Sequence, residues 1–201
     1  MRTRIIPATT TAIKLAAKRI LLGDLVSFPT ETVYGLGANV FNVAAVKKIF
    51  VAKERPFNDP LIVHVSCEKM LKTVVRKISP TAQLLIKKFW PGPLTLVLPK
   101  SNMISKIVTA GQDTVAVRMP SHSVAHKLIS LAGVPIAAPS ANTFGRPSPT
   151  TATHVFFDLN KRIPLILDGG RTTIGVESTI LNLSGTPTIL RPGGITFTQL
   201  K

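Results

Sequence analysis

Two cations stand two positions apart in the stretch Lys53-Glu54-Arg55-Pro56, and a proline follows them directly. A guanidinium binds two phosphate oxygens as a fork, and an ammonium adds a compact point charge. The pair therefore suits a phosphate chain, although solvated surface pairs of the same kind are common. The apolar run 61–63, which ends at His64, favours the binding interpretation because strand ends of an open α/β sheet face its ligands.

Small hydroxyl and amide side chains occupy the stretch 139–142 (PSAN), between an apolar run and a loop rich in glycine and proline. Such groups hydrogen-bond phosphate or ribose oxygens, and they also form ordinary turns. Arg118 ends the alternating run 114–118, where its guanidinium is suited to a carboxylate. Because the chain has only 9 acidic residues, we expect a ligand anion beside Arg118 and few local counter-ions around the site.

The overall charge points to an anionic partner. The 201 residues include 25 Lys and Arg against 9 Asp and Glu, which gives a formal net charge of +16. This balance favours RNA, DNA, nucleotides or acidic membrane surfaces, and the alternative is a solvated basic surface. A hydrophobic content of 45% is enough for a packed core, which argues against a disordered basic tail.

Several common chemistries lack their sequence signatures. There is no P-loop, no three-glycine dinucleotide fingerprint and no nucleophile elbow. His122 and His126 are four apart but lack a third metal ligand nearby, so we predict no resident metal site. The single cysteine, Cys67, excludes an internal disulfide, and we predict that it is buried. No apolar run reaches the roughly 18–20 residues of a membrane span, and residues 1–7 lack a signal-peptide pattern, so we expect no membrane partner and a cytoplasmic location.

Short strands alternate with helices along the chain, which predicts an α/β fold with a mixed sheet. The segment 29–39 is rich in threonine and glycine, so we predict a polar loop outside the core, and 53–60 is predicted to be irregular. The predicted helices are 8–22, 44–52, 80–89 and 123–132, and the predicted strands are 25–28, 61–65, 94–98, 114–118, 135–138, 163–167, 178–183 and 188–190.

Eight blocks, taken in order, resemble the YrdC-like family of L-threonylcarbamoyladenylate synthases. They cover nearly the whole chain, and their order makes the resemblance far more specific than any single block. The blocks are FPTETVYGLGAN (28–39), KERPFNDPLIVHV (53–65), FWPGPLTLVL (89–98), VAVRMP (115–120), PIAAPSANTFGRPSPTTATHV (135–155), ILDGG (166–170), GVESTILNL (175–183) and ILRPGGIT (189–196).

The resemblance implies a single-domain, twisted mixed β-sheet with flanking helices and a basic concave face. It implies an enzyme that converts L-threonine, bicarbonate and ATP, with Mg²⁺, into threonylcarbamoyl-adenylate and pyrophosphate. A separate transferase complex would then modify the adenosine beside the anticodon of tRNA. Direct binding of tRNA or double-stranded RNA is a further possible partnership.

The resemblance also implies a role for each matching residue. Lys53 and Arg55 match the phosphate-binding pair and are the predicted catalytic residues. The residues that match L-threonine contacts are Thr32, His64, Arg118 and Ser178. The residues that match ATP contacts are Lys53, Arg55, Asn58, Thr114, Ser140, Asn142, Ser148 and Arg191.

Some family members carry an extra C-terminal domain, and we expect residues 1–201 to form one catalytic domain without it. Two other functions fit part of the pattern. One is a basic module that holds RNA without chemistry, as the charge of +16 permits. The other is a carbamoyl-adenylate enzyme like the related domains of hydrogenase maturation, which occur in longer chains.

Overall fold

The computed structural model describes residues 2–200, so residues 1 and 201 of the predicted domain lie outside the described part. One sheet of ten strands crosses this part of the chain. The strands are β1 (Arg4–Pro7), β2 (Val26–Phe28), β3 (Gly35–Asn39), β4 (Ile62–His64), β5 (Leu94–Pro99), β6 (Thr114–Arg118), β7 (Ile136–Ala137), β8 (Leu165–Asp168), β9 (Thr179–Asn182) and β10 (Thr188–Arg191).

The strand order across the sheet is β1-β8-β2-β3-β7-β4-β6-β5-β9-β10. Parallel pairs join β1 to β8, β2 to β8, β4 to β6 and β5 to β9. The pairs β2–β3, β3–β7, β4–β7, β5–β6 and β9–β10 are antiparallel. This mixed sheet confirms the predicted α/β class.

Several helices begin where a side chain accepts a hydrogen bond from the backbone of the first turn, which is typical of helix capping. Thr9, Asn42, Ser79 and Thr151 cap helices in this way. The helices are α1 (Thr10–Leu21), α2 (Val43–Lys53), α3 (Glu68–Val74), α4 (Pro80–Phe89), α5 (Ser123–Ala132), α6 (Ala152–Leu159) and α7 (Phe197–Leu200).

Apolar side chains cover both faces of the sheet. In β8, Leu165 and Leu167 pack into one cluster with α1 and α5, while Ile166 belongs to the other cluster, with α2, α4 and α6. Alternating side chains of one strand point to opposite faces, so this division follows from the strand itself. None of the helices within residues 2–200 is long and apolar enough to span a membrane.

The prediction of a polar loop at 29–39 was wrong, because its second half is strand β3 and residues 30–38 are buried. The polar groups there are satisfied internally: Thr30 Oγ1 donates to the carbonyl of Val33 at 2.6 Å, and Tyr34 Oη donates to the carbonyl of Gly170 at 2.7 Å. Cys67, predicted to be buried, is exposed just before α3. Elements β1, α3, α6 and α7 were not predicted.

Gly37 in β3 provides a test of this packing. A Cβ there would lie 2.7 Å from a ring carbon of Phe28 and 2.8 Å from Cγ2 of Ile136. We expect Gly37→Ala to lower the free energy of unfolding by about 1–3 kcal/mol, because overpacking forces neighbouring side chains to shift. Urea titration would measure the change. Gly185→Ala is the matched control, since a Cβ at Gly185 meets no atom within 4 Å, and equal losses in both variants would contradict the prediction.

Candidate active site

Polar loops and strand ends converge on a cleft of about 270 Å³. The parallel pairing of β4 with β6 places His64 opposite Arg118, and an isolated bridge joins Gly35 of β3 to Ser140. The predicted site residues that line the cleft are Thr32, Arg55, His64, Thr114, Arg118, Ser140, Ser178 and Arg191.

Arg118 is buried, and its three nitrogens contact two loops, one carrying Gly92 and the other carrying Glu31 and Thr32. Its Nε donates to the carbonyl of Gly92 at 3.1 Å, and its Nη1 donates to Thr32 Oγ1 at 2.8 Å. Its Nη2 forms an ion pair with Glu31 Oε1 at 2.6 Å. Burial raises the pKa of Glu31, but the charge and hydrogen bond of Arg118 outweigh burial and hold this pKa below its ordinary value.

His64 is buried at the wall of the cleft and is uncharged at neutral pH. Burial, and then the neighbouring charge of Arg118, lower its pKa to about 3. Its ring meets Phe28 edge-on at a centroid distance of 6.4 Å, and its Nδ1 has no hydrogen-bond partner among the described residues. The cleft therefore contains a neutral imidazole beside a buried guanidinium.

Ser178 directly precedes β9 and is held on two sides. Its Oγ is 2.8 Å from Thr95 Oγ1 of β5, and Arg191 Nη2 donates to its carbonyl at 3.0 Å and to its Oγ at 3.2 Å. Arg191 Nη1 also pairs with Glu177 Oε2 at 2.6 Å. Ser148 Oγ donates to Glu177 Oε1 at 2.9 Å, which links the loop after β7 to this network.

Arg55 faces the cleft, but it folds back on its own loop. Its Nη2 donates to the carbonyl of Pro60 at 2.9 Å and pairs with Asp59 Oδ1 at 2.8 Å. The ring of exposed Phe144 lies 5.9 Å from the Arg55 guanidinium. Some N–H donors of Arg55 are therefore already bonded to oxygens of its own loop.

Lys53 does not stand beside Arg55 in the cleft. Its Nζ donates to the backbone carbonyls of Ser140 and Asn142, behind the loop that lines the cleft. Lys53 is the last residue of α2, and the chain then turns at Glu54, which adopts a left-handed conformation with φ of 56°, so Arg55 leaves the helix in a different direction. Burial, and then the charge of Arg55, lower the pKa of Lys53 to about 7.

Three further predicted residues also lie outside the cleft lining. Asn58 is exposed on the surface. Asn142 is buried and donates to the carbonyls of Thr143 and Arg146, at 2.9 and 2.7 Å. Ser148 lies beside the cleft through its contact with Glu177. The ligand roles predicted for these residues and for Lys53 stay predictions.

The expectation of few counter-ions was wrong. Glu31, Asp59 and Glu177 each form an ion pair with an arginine of the cleft, although the chain has only 9 acidic residues. The sequence analysis did not predict these ion pairs, although the positions of the three acidic residues in the sequence point to them. Glu31 and Glu177 directly precede the predicted site residues Thr32 and Ser178, and Asp59 follows Arg55 by four positions.

The cleft lies at strand ends of a mixed α/β sheet and contains a neutral histidine, hydroxyl groups and three paired arginines. This combination is typical of α/β domains whose ligand site lies at the strand ends. The family profile Sua5/YciO/YrdC, described as telomere recombination, matches residues 18–193. The chain therefore belongs to the Sua5/YciO/YrdC family.

Named relatives agree with this membership. The chain is 54% identical over 190 residues to the threonylcarbamoyl-AMP synthase of Pyrococcus abyssi, covering 94% of this chain and 56% of that protein. It is 54% identical over 188 residues to the enzyme of the same name from Bacillus subtilis, covering 92% of this chain and 54% of that one. The chain thus spans about half the length of these curated relatives.

A solved structure gives the same result in three dimensions. The crystal structure of P. abyssi Sua5 complexed with L-threonine matches this chain with a TM-score of 0.97 and 52% sequence identity. The match covers 98% of this chain and 60% of that one. The fold is therefore shared over nearly all of the present chain.

The burial of His64 predicts a specific pH dependence of stability. The folded protein keeps His64 neutral down to about pH 3, whereas the unfolded chain binds a proton below about pH 6.5. This residue therefore lowers the free energy of unfolding as the pH falls through that window, by at most about 1.4 kcal/mol per pH unit. We expect His64→Leu to flatten the slope in urea titrations between pH 6.5 and pH 4. His154→Leu, at an exposed site, is the control, and an unchanged slope in His64→Leu would contradict the assignment.

The position of Lys53 predicts a structural contribution. Lys53→Met keeps the apolar stem but leaves the carbonyls of Ser140 and Asn142 without their donor, so we expect a loss of about 1–3 kcal/mol in unfolding free energy. Hydrogen exchange should also quicken at residues 140–142. Lys47→Met, at an exposed position of the same helix, is the matched control. Equal stability of the two variants would show that the ammonium does not hold this loop.

Proposed function

We propose that this chain synthesises threonylcarbamoyl-AMP and pyrophosphate from L-threonine, bicarbonate and ATP. The observation that carries the proposal is the cleft, because the residues matched to threonine contacts, Thr32, His64, Arg118 and Ser178, line it together with Arg55 and Arg191. The P. abyssi relative, 52% identical, was crystallised with L-threonine, which supports the same substrate here.

The chemistry needs positioning more than a protein nucleophile. The amine of threonine takes up carbon dioxide from bicarbonate to give a carbamate, and water is released. A carbamate oxygen then attacks the α-phosphorus of ATP, the bond to the β-phosphate oxygen breaks, and pyrophosphate leaves. Both reactants are anions, so arginines that screen their repulsion and hold them in line lower the barrier.

The threonine end of the cleft suits a small amino acid. Arg118 provides the guanidinium for the α-carboxylate, and its ion pair with Glu31 fixes that group in one orientation. His64 stays neutral, so it adds hydrogen-bonding capacity without a second buried charge. Ser178, held by Thr95 and Arg191, presents a hydroxyl at the same end.

Magnesium enters this proposal as part of the ATP substrate. Within residues 2–200 no group of three or more His, Cys, Asp or Glu side chains is arranged to hold a metal ion. Asp59 and Glu177 nevertheless line the cleft with carboxylate oxygens, the ligands that magnesium prefers beside substrate phosphates. When bound, the ion would neutralise charge on the phosphates.

The wider setting is also a proposal. The product would pass in the cytoplasm to a transferase complex that modifies the adenosine beside the anticodon of tRNA. The charge of +16 suits contact with tRNA or double-stranded RNA, and the surface lysines Lys47, Lys87 and Lys88 lie outside the cleft lining.

Pyrophosphate release tests the function directly. With ATP, magnesium and bicarbonate present, we expect release to depend on L-threonine. Arg118→Lys keeps a charge opposite Glu31 but loses the fork, so we expect kcat/KM for threonine to fall by about 10- to 100-fold. Arg171→Lys, at an exposed position, is the control. Melting curves of both variants would check that they fold.

Other results would point to the other functions. Salt-sensitive RNA binding without threonine-dependent release would indicate a binding module instead. Release with carbamoyl phosphate, but not with threonine and bicarbonate, would indicate a carbamoyl-adenylate enzyme of the hydrogenase-maturation type. Either result would overturn the proposed reaction.

A further inference from the structure

Two arginines that line the cleft, Arg55 and Arg191, form ion pairs with carboxylates of the same chain. Arg55 pairs with Asp59, four residues later in the same loop. Arg191 of β10 pairs with Glu177, which precedes β9. All four side chains line the cleft. Each guanidinium group is therefore bound to a protein carboxylate, and a phosphate chain would need the same guanidinium donors.

The two ion pairs form one cluster of four charges. Burial lowers the pKa of Arg55, and the charge of Asp59 and then that of Glu177 oppose this shift. Burial also lowers the pKa of Arg191, and Glu177 and then Asp59 oppose that shift. Each carboxylate thus acts on both arginines. The carboxylates remain accessible, with Asp59 and Glu177 side chains 38% and 36% exposed, so both can move without unpacking the core.

We propose that Asp59 and Glu177 are exchangeable counter-ions, which an entering phosphate chain displaces from Arg55 and Arg191, so that phosphate binding becomes dependent on a divalent cation. Each arginine is paired with its own carboxylate before a phosphate chain enters. Phosphate oxygens then replace the carboxylate oxygens on the guanidinium groups, because they accept the same forked hydrogen bonds.

The exchange leaves two carboxylates close to a phosphate chain of the same sign. Their repulsion weakens binding unless a cation is present, and a divalent ion attracts carboxylate and phosphate oxygens alike. The same repulsion favours departure of a phosphate product once its cation leaves. Asp59 and Glu177 would therefore set how tightly the cleft holds pyrophosphate.

This inference rests on the proposed function only for the choice of phosphate as ligand, so inorganic pyrophosphate alone is the probe. Calorimetric titrations would compare the unmodified chain with Asp59→Asn, Glu177→Gln and the double variant, each with EDTA and with magnesium. Both substitutions keep the size of the side chain and remove its charge. Glu68→Gln on α3 is the control, because Glu68 pairs with Lys72 away from the cleft.

Without metal, we expect each single variant to bind pyrophosphate about threefold more tightly and the double variant about tenfold more tightly, the scale of partly exposed ion pairs. Magnesium should increase the affinity of the unmodified chain more than that of the double variant. Glu68→Gln should behave like the unmodified chain in both conditions.

Three results would overturn the proposal. Weaker pyrophosphate binding in the variants would show that the carboxylates orient the arginines for the ligand. Unchanged affinity would show that no exchange occurs. An equal gain from magnesium in the double variant would show that these carboxylates do not create the cation dependence. Because no threonine is present, failure of the synthase reaction would be seen separately, in the pyrophosphate-release assay.

Discussion

The buried ion pair between Arg118 and Glu31 is the constraint on which the rest of the site depends. The two side chains are 4% and 8% exposed and meet at 2.6 Å. A buried charge is tolerated only when it is paired and hydrogen-bonded, and removing one partner typically costs about 3–5 kcal/mol. The same guanidinium also contacts Thr32 and Gly92, so it joins the end of β6 to two loops.

This arrangement explains why the segment 30–38 can be both polar and buried. Its hydroxyl and carboxylate groups contact Arg118, the local backbone or, for Tyr34, the carbonyl of Gly170, and its backbone pairs with β2 and β7. The loop carrying Ser140 is fixed from the other side, since the N–H of Leu36 donates to the carbonyl of Pro139 and the N–H of Ala141 donates to the carbonyl of Tyr34. The buried guanidinium of Arg118 thus orders the polar groups around it, and the surrounding sheet holds those groups in place.

Elements with a strong apolar period were predicted well from the sequence. Helices α4 and α5 and strand β6 were predicted with the same bounds that the structure shows. Strand β3 was missed because its glycines and threonines are typical of turns, and only its neighbours Phe28 and Ile136 explain the need for Gly37. The cleft residues that lie on strand ends were predicted. The separation of Arg55 from Lys53 was not, because it follows a left-handed turn at Glu54 that composition does not reveal.

The two outer strands of the sheet have a consequence for behaviour at high concentration. Each is four residues long: β1 contains Arg4 and ends in Pro7, while β10 ends in Arg191 and lies between Pro187 and Pro192. Long, flat, uncharged edges invite strand addition between molecules, and short edges with charge and proline resist it. A ten-stranded open sheet is thereby protected against edge-to-edge aggregation at both of its sides.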